Sequence, residues 1–242
     1  MKKFVTEDSF WEIFPEAAIG VLTVEGVQEN AALDEVQAAE VKDLLDRANE
    51  AARGFLTSEV ISENHVVEVW RKAYQRFPTK KGARCAIEAL LKRVLHGSPV
   101  GTIAPSVDIT NAVSLKYAFP IGVEDLDAFA GDLRLGTVKG GEDFLPIGSD
   151  KQEPPLPGEL AYYDDAGVVC RCWNWRDGQR TSVKDGTASE FIAMECVEPE
   201  RLDSLRSAVD ELADLLTRYL GVRVTHRQII TRDCREMTIQ EP

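Results

Sequence analysis

Hydrophobic and polar positions follow two periods along this chain. Residues 18–25, AIGVLTVE, form an apolar run of strand length, preceded by an aromatic-rich start with Phe10, Trp11 and Phe14. The segment LDEVQAAEVKDLLDRANEAARGF carries good helix formers at helical apolar spacing, and Gly54 supplies its stop. A second helical pattern covers about residues 66–77 and is broken by Pro78. In a third, Ile87, Leu90, Leu91, Val94 and Leu95 make one apolar stripe, Lys92 and Arg93 lie off it, and Gly97 ends it. The character then changes to short β-like runs punctuated by Gly and Pro, with strands expected at 133–138, 158–164, 168–175 and 190–197. Pro199 opens a last helix to about residue 220, with Leu202, Leu205, Val209, Leu212 and Leu216 inward and Gly221 as its stop. A strand over 222–230 and a polar tail complete the pattern, which predicts an α+β fold: a mainly antiparallel sheet core flanked by helices, in one unit over residues 1–242. Its parts are a helical basic segment at about 30–97, a β-rich segment at about 98–197 and a C-terminal helix and strand at about 199–232.

One stretch fits neither period. In VDITNAVSLKYAFP (107–120), Val107, Ile109, Val113 and Leu115 suit a strand or a buried helical turn, but Asp108, Thr110 and Asn111 interrupt them. Short polar side chains there serve as a turn or helix cap, or as the polar rim of an apolar-floored pocket. The pattern leaves both open.

Charge changes the picture locally. The formal net charge of −13, from 41 acidic and 28 basic residues, argues against generic adhesion to nucleic acid. Yet the tract from Trp70 to His96 holds eight Lys or Arg against one acid, Glu88. Such a face can take a polyanion at one place while the rest of the surface repels it, or it can be an ordinary solvated helix face. No apolar run approaches membrane-spanning length, and the N-terminus MKKFVTEDSFWEIF has acids and aromatics where a signal peptide has its apolar core, so a cytoplasmic protein is expected. The five cysteines show no metal-ligand spacing, and reduced structural thiols are expected, with no metal and no cofactor.

The usual catalytic signatures are missing. No Gly-rich phosphate loop is followed by Lys and Ser or Thr, and Gly140–Gly141 precede Glu142 and Asp143, which would repel phosphate. His65, His96 and His226 are scattered, giving little support to a Ser-His-Asp or Cys-His enzyme. In CRCWNWRDGQRT (170–181), strand alternation would place Cys170, Cys172, Asn174 and Arg176 on one face and Trp173 and Trp175 on the other. The tryptophans suit a sheet-to-helix contact, a pocket wall or a stacking platform.

Taken together, VDITN, FLPIG ahead of EPPLPGE, CRCWNWRDGQRT and WRKAYQRFPTKKGARCAIEALLKRVLHG resemble the B3/B4 editing domain of the bacterial phenylalanyl-tRNA synthetase β subunit, and more closely free-standing proteins built from that domain alone. The resemblance covers roughly residues 18–231. In the synthetase the first stretch reads Val-Asp-Val-Thr-Asn, then an apolar run, then Gln-Pro-Leu-His; here Val107 to Asn111 is followed by Phe119-Pro120-Ile121-Gly122, and the Asn-to-Pro interval matches without a gap. The family histidine falls on Gly122, and Gln179 and Arg180 stand where a later Gly-Gly-Glu segment carries its acid, so the synthetase's tyrosine pocket is not preserved.

The resemblance implies hydrolysis of the ester joining a wrong amino acid to tRNA, including, among free-standing members, removal of the arginine analogue canavanine from arginine tRNA. On that basis Thr110 and Asn111 would hold the ester or α-amino group and Asp108 would brace the turn. The amino-acid pocket would draw on Tyr117, Phe119, Gly122, Glu124, Glu142 and Asp143, with Asn174 and Arg176 as further candidates. Arg71, Lys72, Arg76, Lys80, Lys81, Arg84, Lys92 and Arg93 would take the tRNA backbone. The expected partner is mischarged tRNA, with neither DNA nor membrane, and a monomer is compatible with the sequence. Two other readings are a tRNA- or amino-acid-binding module without catalysis and an adaptor docking an acidic partner through the basic face.

Overall fold

The computed structural model describes residues 1–27 and 33–241. The apolar run AIGVLTVE becomes strand β2 (Ala18–Glu25), with the predicted bounds. Both its faces are buried because it sits inside a four-stranded antiparallel sheet ordered β3 (Ile121–Asp125), β8 (Ser189–Cys196), β2, β9 (Arg223–Ile230). A second, six-stranded sheet runs β10 (Glu236–Gln240), β1 (Lys2–Thr6), β4 (Leu133–Thr137), β5 (Leu160–Asp164), β6 (Gly167–Arg171), β7 (Arg176–Asp177). Its β1–β4 pair is parallel and the others are antiparallel, so the fold is α+β with one antiparallel and one mixed sheet.

Alternation along the strands divides the interior in two. Ile19 and Val21 of β2, with Phe191 and Ala193 of β8, face the six-stranded sheet, where Phe4 and Phe191 meet at 5.3 Å between ring centroids. Ala18, Leu22 and Val24, with Ile192, Met194 and Cys196, face the helices instead. On that side α6 (Leu202–Leu220) lays down Leu205, Val209, Leu212 and Leu216 at helical spacing and ends on Gly221, left-handed at φ 66°. Gly20 admits this approach, because a Cβ there would lie 2.3 Å from Val209 Cγ2, on a stiff branched side chain that cannot swing aside. Gly20→Ala therefore costs about 1–3 kcal/mol of stability; a midpoint of chemical denaturation equal to that of the unaltered protein would refute this packing.

The other helices are α1 (Asp8–Ile13), α2 (Glu35–Ala52), α3 (His65–Ala73), α4 (Ala86–Leu95) and α5 (Pro105–Tyr117). Helix α2 begins in a capping box, Asp34 Oδ1 accepting the Gln37 N–H at 2.8 Å and Gln37 Oε1 accepting the Asp34 N–H at 3.2 Å.

Four expectations change. Of the alternatives for 107–120 the strand does not form and the buried helical one does: Pro105 starts α5 at a position where a missing N–H costs nothing, and left-handed Ala118 (φ 49°) ends it. The expected strand over 168–175 stops at Arg171, because Cys172 (φ 48°) and Trp173 (φ 68°) turn the chain back into β7, so the shared face proposed for Cys170, Cys172, Asn174 and Arg176 does not form. The helix expected over 66–77 ends at Ala73. The polar tail is strand β10, which alternates buried Met237 and Ile239 with more exposed neighbours and pairs with β1.

Candidate functional site

Helical spacing puts Val107, Thr110 and Asn111 on one face of α5, and they line an open cleft with Ser106, Val123 and Ser182. Thr110 Oγ1 donates back to the Ser106 carbonyl at 2.8 Å. Asn111 is half-buried and its carboxamide makes no hydrogen bond to the described residues. Asp108 points elsewhere: it is buried and accepts the Ile103 N–H at 2.8 Å, bracing the loop before the helix. Burial raises its pKa, against the loop's hydrogen bonds.

On the other side of β3 an inner pocket opens between the two sheets. Its walls are apolar: Ile121, Leu133, Val169, Phe191 and the rings of Trp173 and Trp175. Against them stand three carboxyl groups from separate strands, Glu124 of β3, Asp177 of β7 and Glu195 of β8. Ile121 and Asp177 line both hollows and form the seam between them.

The pocket acids are held in unusual states. Glu195, 1% exposed, accepts from Tyr162 Oη at 2.7 Å and from Asn174 Nδ2 at 3.3 Å, and Asn174 Oδ1 in turn accepts from Tyr74 Oη at 2.8 Å. Burial lifts the Glu195 pKa to about 8, with those two donors opposing the rise. Glu124 is 5% exposed; burial, then the charge of Asp177, pushes its pKa well above the carboxylate range. Glu124 and Asp177 also contact each other carboxyl to carboxyl, and burial raises Asp177 as well. Glu124 Oε2 and Trp173 Nε1 are buried without a hydrogen-bond partner among the described residues, so both an acceptor and a donor stand unpaired in the pocket lining.

Gly122 lies on the pocket-facing side of β3, and a Cβ there would meet nothing within 4 Å. The space beside Gly122 is open.

A buried ion pair holds the pocket's outer wall. Arg171 (2% exposed) donates from Nε and Nη2 to Glu159 (0% exposed) at 2.8 and 2.7 Å, and from Nη1 to the Glu153 carbonyl at 2.8 Å. Glu159 also accepts the N–H groups of Leu156 and Cys172 at 3.1 Å. Burial would raise the Glu159 pKa, but Arg171, the Leu156 amide and Cys172 more than reverse it and hold it below its ordinary value.

Of the residues singled out in the sequence, Gly122, Glu124 and Asn174 line the inner pocket, and Thr110 and Asn111 line the adjoining cleft. Arg176 is exposed beside them, donating to the Ile147 carbonyl at 3.2 Å. Tyr117 and Phe119 lie on the α6 side: Tyr117 Oη donates to Glu211 at 2.6 Å, and Phe119 is core beneath the Arg201 guanidinium, 4.1 Å from its ring centroid. Glu142 caps its own loop, accepting the N–H groups of Lys139 and Gly140 at 2.8 and 3.0 Å, and Asp143 is exposed. Sequence reasoning missed Glu195, Asp177 and Tyr162. Glu195 left a signal, a lone acid in the apolar run FIAMEC at the alternation of Phe191 and Ala193.

The basic tract is partly neutralised. Arg71 and Arg84 both pair with buried Glu88, Lys72 with Glu68, and Lys80 with Glu153, while Arg76 sits 4.6 Å from the Phe14 ring centroid. Lys81, Lys92 and Arg93 are exposed, with no ion pair among the described residues. The tract adjoins the inner pocket through the start of α4, where Ala86 lines it and donates its N–H to the Asn174 carbonyl at 3.1 Å. No helix of the described residues is long and apolar enough to cross a membrane.

Among solved structures, an N-terminal fragment of the phenylalanyl-tRNA synthetase β subunit from Pyrococcus horikoshii is similar at a TM-score of 0.47 and 13% identity, over 97% of this chain and 53% of that one. This chain thus spans about half the length of that fragment. A comparison with curated proteins returns no match. The family model of the B3/4 domain matches residues 69–221, a span running from the basic tract through both hollows to the end of α6, and the chain belongs to the B3/4 domain family.

Proposed function

We propose that this protein is a trans-acting deacylase of mischarged aminoacyl-tRNA, hydrolysing the ester between the amino acid and the terminal ribose. The observation that carries this reading is the pair of hollows meeting at Ile121 and Asp177, one acidic and apolar-walled, the other lined by Thr110 and Asn111. The inner pocket suits an aliphatic side chain with a cationic head, because its carboxyls offer charge and its walls cover the stem. A guanidinium-like side chain such as that of canavanine fits this chemistry, and Gly122 leaves room for it. The α-ammonium group would fall near Asp177, and the ester carbonyl would reach the cleft, where the free carboxamide of Asn111 is a donor for the developing oxyanion.

An aminoacyl ester is an activated acyl group, so a positioned water suffices as nucleophile. Water adds to the carbonyl carbon, the bond to the ribose oxygen breaks, one of the water's protons goes to the ribose oxygen and the other to solvent, and the amino acid leaves as its carboxylate. The open space at Gly122 favours a second reading, a module that binds without cleaving. A panel of tRNAs mischarged with different amino acids tests both. Release of a basic amino acid faster than in buffer supports the deacylase; binding without release of any amino acid supports the module.

The tRNA backbone would lie on the exposed cations of the basic tract. Reversing Lys81, Lys92 and Arg93 to Glu together lowers tRNA affinity roughly tenfold or more at low salt and flattens the dependence of log affinity on log salt. A filter-binding salt series with an unaltered slope would exclude this face.

A further inference from the structure

The inner pocket brings together three carboxyl groups, Glu124 and Glu195 almost wholly buried, and this crowding favours a proton among them. Glu124 and Asp177 line the pocket together and act on each other's charge, and with Glu124 buried the two resist ionising together. Glu195 lies on the neighbouring strand of the same sheet face, almost wholly buried.

What surrounds Glu195 offers no compensating cation. From β5 it meets the Tyr162 hydroxyl and from the turn after β6 the neutral Asn174 amide. Tyr74, just after α3, and the Cys85 thiol before α4 also feel its charge, and burial keeps both protonated. Cys170 of β6 is likewise held as a thiol by burial. On β2 its cross-strand partner is Ile19. The cations that act on the cluster do so from outside: Arg180 on Glu124, while itself paired with Asp164 at 2.7 Å, and exposed Arg176 on Asp177.

We propose that a cationic side chain entering this pocket displaces a proton held by Glu124, Asp177 and Glu195, so that occupancy is proton-coupled and Glu195 sets the pH range of binding. The inference rests on the reading of this pocket as the seat of the amino-acid side chain, and it adds what that reading leaves out. The site discriminates by protonation as well as by shape. The exchange balances: the ligand brings one positive charge, one carboxyl proton passes to solvent, and the pocket keeps its net charge. Unpaired Glu124 Oε2 is the acceptor available to the incoming N–H groups. Among the described residues no group of three or more His, Cys, Asp or Glu is arranged to hold a metal ion, so the geometry favours an organic cation.

The sign follows from the direction of the shifts. Before a cation binds, burial raises the pKa of all three carboxyls, that of Glu195 to about 8. A bound cation favours the ionised forms. Affinity therefore rises with pH below that value, by about tenfold per pH unit for one proton released, and levels off above it.

The test needs no tRNA. Propylguanidinium chloride, which stays charged throughout, is titrated into the full protein at a series of pH values from about 6 to 9, its binding followed at the Trp175 indole N–H by NMR. We expect the dissociation constant to fall about tenfold between about pH 6.5 and 7.5 and to level off above about 8, and binding of neutral propylurea to be independent of pH. Glu195→Gln, checked for folding by thermal melting, flattens the profile approaching pH 8; Glu124→Gln serves the same purpose should the first variant not fold. A flat profile for propylguanidinium in the unaltered protein, or no binding at any pH, overturns the proposal. A sloping profile in a protein that deacylates no mischarged tRNA upholds it and sinks the deacylase reading; active deacylation with a flat profile does the reverse.

Discussion

Asn111→Ala slows release of the amino acid from mischarged tRNA by about 10²–10³-fold, the usual effect of removing one donor aimed at an oxyanion. The expectation rests on a residue with little else to do. Asn111 sits on the open face of α5, half-buried, and its carboxamide has no partner among the described residues. Its removal therefore leaves no group stranded, and stability stays within about 0.5 kcal/mol of the unaltered protein. The informative measurement combines single-turnover release rates with a melting curve. A variant that melts normally and hydrolyses within twofold of the unaltered rate removes Asn111 from the site. Thr110→Ala has a smaller expected effect, because the Thr110 hydroxyl is already committed to the Ser106 carbonyl.

Arg171→Ala destabilises the protein by about 3–5 kcal/mol, the range for breaking a buried pair from one side. For a chain of this size that lowers the melting temperature on the order of 10 °C. The cost comes less from the lost attraction than from Glu159, 0% exposed, which would keep two amide donors but lose its countercharge. Replacing the pair together, Arg171→Met with Glu159→Leu, recovers part of the loss because no buried charge is then orphaned. The pair also adds acid sensitivity. The folded-state pKa of Glu159 is depressed, so its contribution is present above the ordinary carboxylate range and is lost as pH falls through the folded value. A melting temperature unchanged in Arg171→Ala would refute this account of the pocket wall.

How far the site was legible depended on the span of chain that each feature needs. Helix α6 and strand β2 announce themselves in local periodicity, since their burial patterns repeat within a single element. Strand β10 is as short-ranged a signal, Met237 and Ile239 alternating with polar neighbours in EMTIQ. Helix α5 was not legible in this way. It packs against both α2 and α6, so apolar residues occupy most of its circumference and mimic a strand, and the exposed face at 107, 110 and 111 looks like an interruption. The turn at Cys172 and Trp173 gave no warning, because neither residue type favours positive φ. The structure around them imposes it, with the Trp173 N–H donating to the Leu160 carbonyl at 2.7 Å and its ring packed against Phe10, Phe14 and Trp70.

Local patterning thus specified helices α2, α3, α4 and α6, the central strand, the basic tract and, through a few short motifs, the kinship with the B3/4 domain. The grouping of Glu124, Asp177 and Glu195 lay beyond it. These acids are separated by tens of residues and meet because two sheets stack with β3, β7 and β8 at one end of their interface. Burial then gives them their protonation, a property of the surrounding dielectric and of neighbouring charges that no residue carries in its own identity.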